Sequence, residues 1–224
     1  MLGDSILAAT ASRYGGAMCS ALVPLGWSVA VEAEAGQMVG FGRTVLKDRI
    51  YEGWNAAVVF LGTNYGGSAT NFSRDLTAIV DALAPRPTLL LTASLFKPVM
   101  QDVNTVIRTV ASKYPNVVVL DWGTAAAQPG LMNRDNVHPN DTGRQVLVGS
   151  IAVALGNAPV GTGGCLPSKY TDDSLVTGDN TMPSSTLVGQ STVPGSSTIA
   201  PQITTTTTKM VTTTIAPSVV TTVP

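Results

Sequence analysis

The sequence predicts an α/β fold, with a mostly parallel five-stranded sheet covered by helices on both faces. Two observations carry this. Short apolar, β-branched runs alternate with longer stretches whose apolar residues repeat at helical spacing. The connections between them are short, which in a βαβα series places successive strands parallel and helices over the sheet.

Each element has its own justification. Residues 7–24 read as the first helix, so the strand before it is Met1-Leu2 plus whatever lies upstream. WSVAVEA (27–33) is apolar and β-branched, and GRTVLKDRIYEG (42–53) has amphipathic spacing. NAAVVFLG (55–62) is a continuous apolar run ending in glycine, which suits a strand buried on both faces. FSRDLTAIVDALAP (72–85) carries a helical stripe at 72, 76, 79, 80 and 83 and is stopped by Pro85. TLLLTAS (88–94) is a second buried strand, and VMQDVNTVIRTVASKYP (99–115) repeats the pattern of helix then proline. NVVVLDW (116–122) is the last strand, and NDTGRQVLVGSIAVAL (140–155) the last helix, capped by Asn140 or Asp141.

The 224 residues carry 13 basic and 14 acidic side chains, so no basic surplus calls for nucleic acid. The longest apolar segment, 146–156, is shorter than the roughly 18 residues of a membrane span and reads as core. No charged region followed by an apolar one marks a signal peptide at the N-terminus. The domain is placed at 1–158. Residues 159–224 read as a Thr/Ser/Pro-rich low-complexity tail, with 171–224 a stalk or linker lacking any period that would close a core. Cys19 and Cys165 fit no zinc-ligand spacing; pairing in an oxidising compartment and two free thiols both remain open. One histidine and two distant cysteines build no metal site, and no cofactor is expected.

Several polar residues fall at the carboxyl ends of these strands. Ser5 follows the first, Gly36 the second, Asn64 the third, and Asp135 and His138 lie between the last strand and the last helix. In open parallel sheets this edge is where ligands bind. His138 is the only histidine, sits in a polar loop, and lies three residues after Asp135. That suits a serine mechanism, with His138 as base and Asp135 orienting it; Asp121 and Asp141 are the rival carboxylates. Taken singly, Gly36, Asn64 and the Gly3-Asp4-Ser5 tripeptide are ordinary turn chemistry. Their order is what carries information.

In that order, Gly3-Asp4-Ser5, Gly36, Gly62-Thr63-Asn64 and Asp135-Asn136-Val137-His138 resemble the motifs of the SGNH hydrolase superfamily, the GDSL-type esterases and acyltransferases. The resemblance spans roughly residues 2–156. It implies a flavodoxin-like sheet and a catalytic triad of Ser5, His138 and Asp135. It also implies an oxyanion hole built from the backbone N–H groups of Ser5 and Gly36 and the Asn64 side chain. LGDSI, LGTN, VLDWG and NVHPNDTG are similar to the extracytoplasmic SGNH domain fused behind bacterial membrane acyltransferases. This implies an extracellular or cell-surface location, an acyl ester on a small molecule or polysaccharide as substrate, and a membrane acyltransferase domain upstream.

The resemblance departs in two places: SGNH sequences carry several apolar residues before the serine turn, where this sequence has Met1 and Leu2, and the membrane acyltransferase half does not appear in it. The expectation is a truncated first strand, with stability and activity below those of a version extended by about four to six apolar residues. Short loops after the strands and 5% aromatic residues argue for small acyl groups such as acetyl. Trp54 and Trp122 are candidates for a sugar site or, more simply, core residues. The competing function is a non-catalytic carbohydrate-binding or interaction domain on a surface stalk. A nucleotide-binding domain is disfavoured, since no glycine-rich phosphate loop follows a strand.

Overall fold

The computed structural model describes residues 1–175. In chain order the elements are β1 (Leu2–Gly3), α1 (Ser5–Ala8), α2 (Ala17–Leu22), β2 (Ser28–Val29), β3 (Glu32–Ala33), α3 (Gly40–Arg49) and β4 (Ala57–Phe60). They continue with α4 (Ala69–Leu83), β5 (Thr88–Leu91), α5 (Met100–Ala111), β6 (Val117–Leu120), α6 (Trp122–Ala126), α7 (Asp141–Leu155) and β7 (Gly164–Cys165). Five strands form one parallel sheet in the order β3-β1-β4-β5-β6. The chain leaves β1 in one direction and, after β3, crosses back to β4 on the other side. That is the doubly wound pattern in which a crevice opens at the carboxyl edge.

Alternation along the strands divides the core into two. Ala57, Val59, Leu61 and Leu90 face one side and pack with Val45 of α3, Ile79 of α4 and Val103 of α5. Val58, Phe60, Leu89 and Leu91 face the other and pack with Ile6, Met18, Trp122 and Leu147 of α1, α2, α6 and α7. The period of two gives both faces of each strand an apolar set, which is why these runs read as continuous hydrophobic stretches.

Three expectations need correction. The stretch 7–24 is not one helix: it breaks into α1, a 3-10 turn at Ser12–Tyr14, α2 and a second 3-10 turn. Gly15 and Gly16, both with positive φ, interrupt it. The run 27–33 is two strands, β3 in the main sheet and β2 in a separate parallel pair with β7. The domain does not end at 158 either. β7 pairs with β2, Cys165 forms a disulfide with Cys19, and residues 169–173 hydrogen-bond to residues 13, 14, 32, 34 and 35. Residues 159–175 are thus bound to the sheet edge, while the expectation of a stalk over 176–224 lies outside the described residues.

Glu32 explains a carboxylate in a buried strand. It is 2% exposed; Arg49 pairs with Oε1, and Oε2 accepts the backbone N–H groups of Lys169 and Tyr170 at 2.9 Å each. A buried charge persists only when paired and hydrogen-bonded in this way. Trp122 is a core residue, 1% exposed. Trp54 lies against the Arg49 guanidinium and donates to the Arg49 carbonyl at 2.7 Å. It therefore belongs to the turn between α3 and β4, at the amino end of the strands.

Candidate active site

The tightness of the first turn sets the position of Ser5. Gly3 pairs with Ala33 on one side and Phe60 on the other, and the chain turns into α1 one residue later. A Cβ on Gly3 would overlap the Leu7 side chain, so this close return needs glycine. Asp4 caps α1 by accepting the N–H of Ile6 at 3.0 Å, and its own N–H donates to the Phe60 carbonyl at 3.1 Å. Asp4 is completely buried. That burial pushes its carboxyl up to about 6, and the Ile6 N–H, Thr63 and the nearby His138 offset this only in part.

Ser5 Oγ lies 2.9 Å from His138 Nε2, and His138 Nδ1 lies 2.7 Å from Asp135 Oδ2. Three side chains separated by up to 133 positions therefore form one hydrogen-bonded line. The histidine loop is locally ordered. Asp135 Oδ1 accepts the N–H groups of Val137 and His138 at 2.9 and 3.1 Å, Asn133 N–H donates to the His138 carbonyl at 2.8 Å, and Asn136 turns the chain with φ 56°. Burial raises the Asp135 carboxyl, but the hydrogen bonds from the His138 ring and from the His138 and Val137 N–H groups outweigh it and hold the group below its ordinary value.

The rival carboxylates are engaged elsewhere. Asp121 caps α6, accepting from Thr124 and from Thr92, and pairs with Arg108. Asp141 sits in the first turn of α7 beside Arg144, and Asn140 is the residue that caps this helix.

Gly36 and Asn64 follow β3 and β4, the two strands that flank β1, so both lie at the same carboxyl edge as Ser5. Gly36 adopts φ +73°, and Asn64 Nδ2 donates to the carbonyl of Gln37 at 3.1 Å, joining the two loops. The backbone N–H groups of Ser5 and Gly36 donate to no acceptor among the described residues. A cleft of about 300 Å³, lined by Ser94, Phe96, Met132 and Asn136 among others, adjoins the loop of His138. Among the described residues no cluster of three or more His, Cys, Asp or Glu stands ready to hold a metal. No described helix is long and apolar enough to cross a membrane.

Solved structures share this arrangement of elements over 69% of the chain. One is a lipase/acylhydrolase from Enterococcus faecalis, 19% identical, with a TM-score of 0.58 over 92% of its own length. Another is a member of the lipolytic protein G-D-S-L family from Veillonella parvula, 20% identical, TM-score 0.53 over 94% of its length. The chain has the SGNH hydrolase fold. The same fold is seen in the C-terminal catalytic domain of the peptidoglycan O-acetyltransferase OatA of Streptococcus pneumoniae, 21% identical, TM-score 0.56 over 89% of that domain. No protein-family model and no curated protein matches the sequence. At these identities the likeness to SGNH structures is one of fold, and the chemistry rests on the side chains above.

Sequence reasoning missed Arg13, Tyr14, Glu34 and Asp173, which surround the Gly36 loop. No local signal marks them, because their partners are up to 160 positions apart.

Proposed function

We propose that the chain is a serine-dependent enzyme that hydrolyses or transfers small acyl esters, acetyl above all, carried on cell-surface carbohydrate outside the cytoplasm. The observation that carries this reading is the line Ser5–His138–Asp135, at 2.9 and 2.7 Å. Ser5 Oγ attacks the ester carbonyl carbon while His138 Nε2 takes its proton, and Asp135 holds the ring and stabilises the imidazolium. The negative charge that develops on the carbonyl oxygen meets the N–H groups of Ser5 and Gly36 and the remaining N–H of Asn64. Collapse breaks the ester C–O bond, and the leaving alcohol takes the proton back from His138. Water, or a sugar hydroxyl, then gives its proton to His138 and attacks the acyl-serine, which releases either the acid or a new ester and restores Ser5.

Three further observations support the finer reading. The disulfide suits an oxidising compartment. The loops after β3 and β4, residues 34–39 and 61–68, are short, which favours a small acyl group. One of the compared structures is the catalytic domain of a peptidoglycan O-acetyltransferase.

The test is p-nitrophenyl acetate hydrolysis by the full chain and by Ser5→Ala, with fluorophosphonate labelling located by mass spectrometry. The expected result is labelling at Ser5 and a loss in Ser5→Ala on the order of 10⁴-fold or more. Turnover undiminished in Ser5→Ala, together with no label on Ser5, would sink the proposal in favour of a binding domain that kept the fold.

A further inference from the structure

The segment after α7 closes on the loop that carries Gly36. The last ladder contact of β3 with β1 is the Glu34 N–H donating to the Gly3 carbonyl at 3.3 Å. Beyond it the sheet no longer holds the chain, and residues from the other end of the domain take over. Asp173 Oδ1 accepts the N–H of Ala35 at 2.9 Å. Its Oδ2 accepts Arg13 Nε at 2.8 Å and the Tyr14 hydroxyl at 2.9 Å. Arg13 Nη2 also donates to the Ala33 carbonyl at 2.7 Å. Glu34 accepts the Asp172 N–H at 3.1 Å and Gln37 Nε2 at 2.8 Å. The Leu175 side chain covers Gly36, whose Cβ, if it had one, would sit 3.1 Å from Leu175 Cβ.

Every residue from 33 to 37 is therefore gripped, and three of those grips come from residues 172–175. Asp173 is the centre of the arrangement. Its side chain is 10% exposed, it is neutralised by Arg13, and one of its oxygens is spent on a backbone N–H next to the residue whose own N–H is unused. A hydrogen-bond donor helps a developing oxyanion only if it is already aimed when charge appears. A glycine at φ +73° has little of its own to fix that aim.

We propose that Asp173 is a positioning residue of the active site: by fixing Ala35 it aims the Gly36 N–H at the oxyanion. This rests on the esterase reading above, in which that N–H is a donor to the tetrahedral intermediate. The role is indirect, since Asp173 touches neither the nucleophile nor the ester.

The experiment compares full-length Asp173→Ala, Asp173→Asn and Ser5→Ala with the parent on p-nitrophenyl acetate. Rates are corrected for the folded fraction from circular dichroism, and amide exchange is followed over residues 33–39 by mass spectrometry. Asp173→Ala is expected to lower kcat by about 10–100-fold with KM changed less than about threefold, and to speed exchange in that peptide. Asp173→Asn, whose amide oxygen still accepts from Ala35, is expected to recover part of the lost kcat while keeping the domain folded. A folded Asp173→Ala or Asp173→Asn pair with the parent's kcat and exchange overturns the role. So does a loss that vanishes on correction for the folded fraction. If Ser5→Ala is inactive while Asp173→Ala turns over normally, the positioning role alone falls. If Ser5→Ala keeps full activity, the esterase reading falls with it.

Discussion

Asp135 holds His138 twice, once by the ring and once by the backbone: Oδ2 meets Nδ1 at 2.7 Å, and Oδ1 accepts the His138 N–H at 3.1 Å. The two contacts separate under substitution. In Asp135→Asn the amide oxygen can keep the backbone N–H groups, while the amide nitrogen faces Nδ1 and forces the proton onto Nε2. That tautomer cannot take the Ser5 proton. We expect kcat to fall on the order of 10³–10⁴-fold with thermal stability nearly unchanged. Steady-state rates and a melting curve check this; a variant retaining more than a tenth of the parental kcat would move the orienting role to another group.

Asn64 has two N–H bonds, and one is committed to Gln37. On the proposed mechanism, Asn64→Ala removes a donor for the oxyanion and also the tie between the two loops. The expected loss is on the order of 10²–10³-fold in kcat. Asn64→Asp replaces the donor by an acceptor of like charge to the intermediate, so its kcat should lie below that of the alanine variant. The reverse order of the two variants would remove Asn64 from the oxyanion hole.

The disulfide between Cys19 and Cys165 closes a loop spanning 146 positions. In the chain-entropy picture such a link is worth about 4–5 kcal/mol, acting on the unfolded chain. Replacing both cysteines by serine should therefore lower Tm by roughly 10 °C or more. Calorimetry in the absence of reductant measures it, and a Tm within a degree or two of the parent would show that β7 holds without the bond.

Asp4 makes stability depend on pH. Its carboxyl, pushed up to about 6 by burial, keeps a proton in the folded state that the unfolded chain has already lost. The favourable contribution is whole below about pH 4 and disappears as pH rises through about 6. Asparagine keeps the cap on α1 without the charge. Asp4→Asn should therefore gain on the parent between pH 4.5 and 7.5, by roughly 2 kcal/mol in urea unfolding. An equal gap between the two proteins at both pH values would contradict this account.

What the sequence revealed follows from the range of the forces involved. The apolar runs at 55–62, 88–94 and 116–122 announce buried parallel strands because each strand's environment is written in its own residues. That the candidate site residues share one edge was legible for a related reason, since parallel topology puts every strand's carboxyl end there. Residues 159–175 were not. Their glycine, serine and proline content matches a linker, and what holds them is Arg13, Glu32, Glu34 and Cys19, more than 120 positions earlier. Helix α6 was hidden similarly: Asp121, weighed as a catalytic candidate, is spent on capping five residues, the first of which, Trp122, read as the end of a strand.

The order of attachments along the final segment has a mechanical consequence. A pull on the chain beyond residue 175 loads Leu175 against Gly36 first, then Asp173 and Asp172, then the Tyr170 and Lys169 contacts with Glu32, and only then the covalent link at Cys165. Non-covalent bonds would yield one after another until the disulfide arrests the peeling. The first to yield is the one beside Gly36, so tension applied beyond residue 175 would be felt at the candidate active site well before the domain unravels.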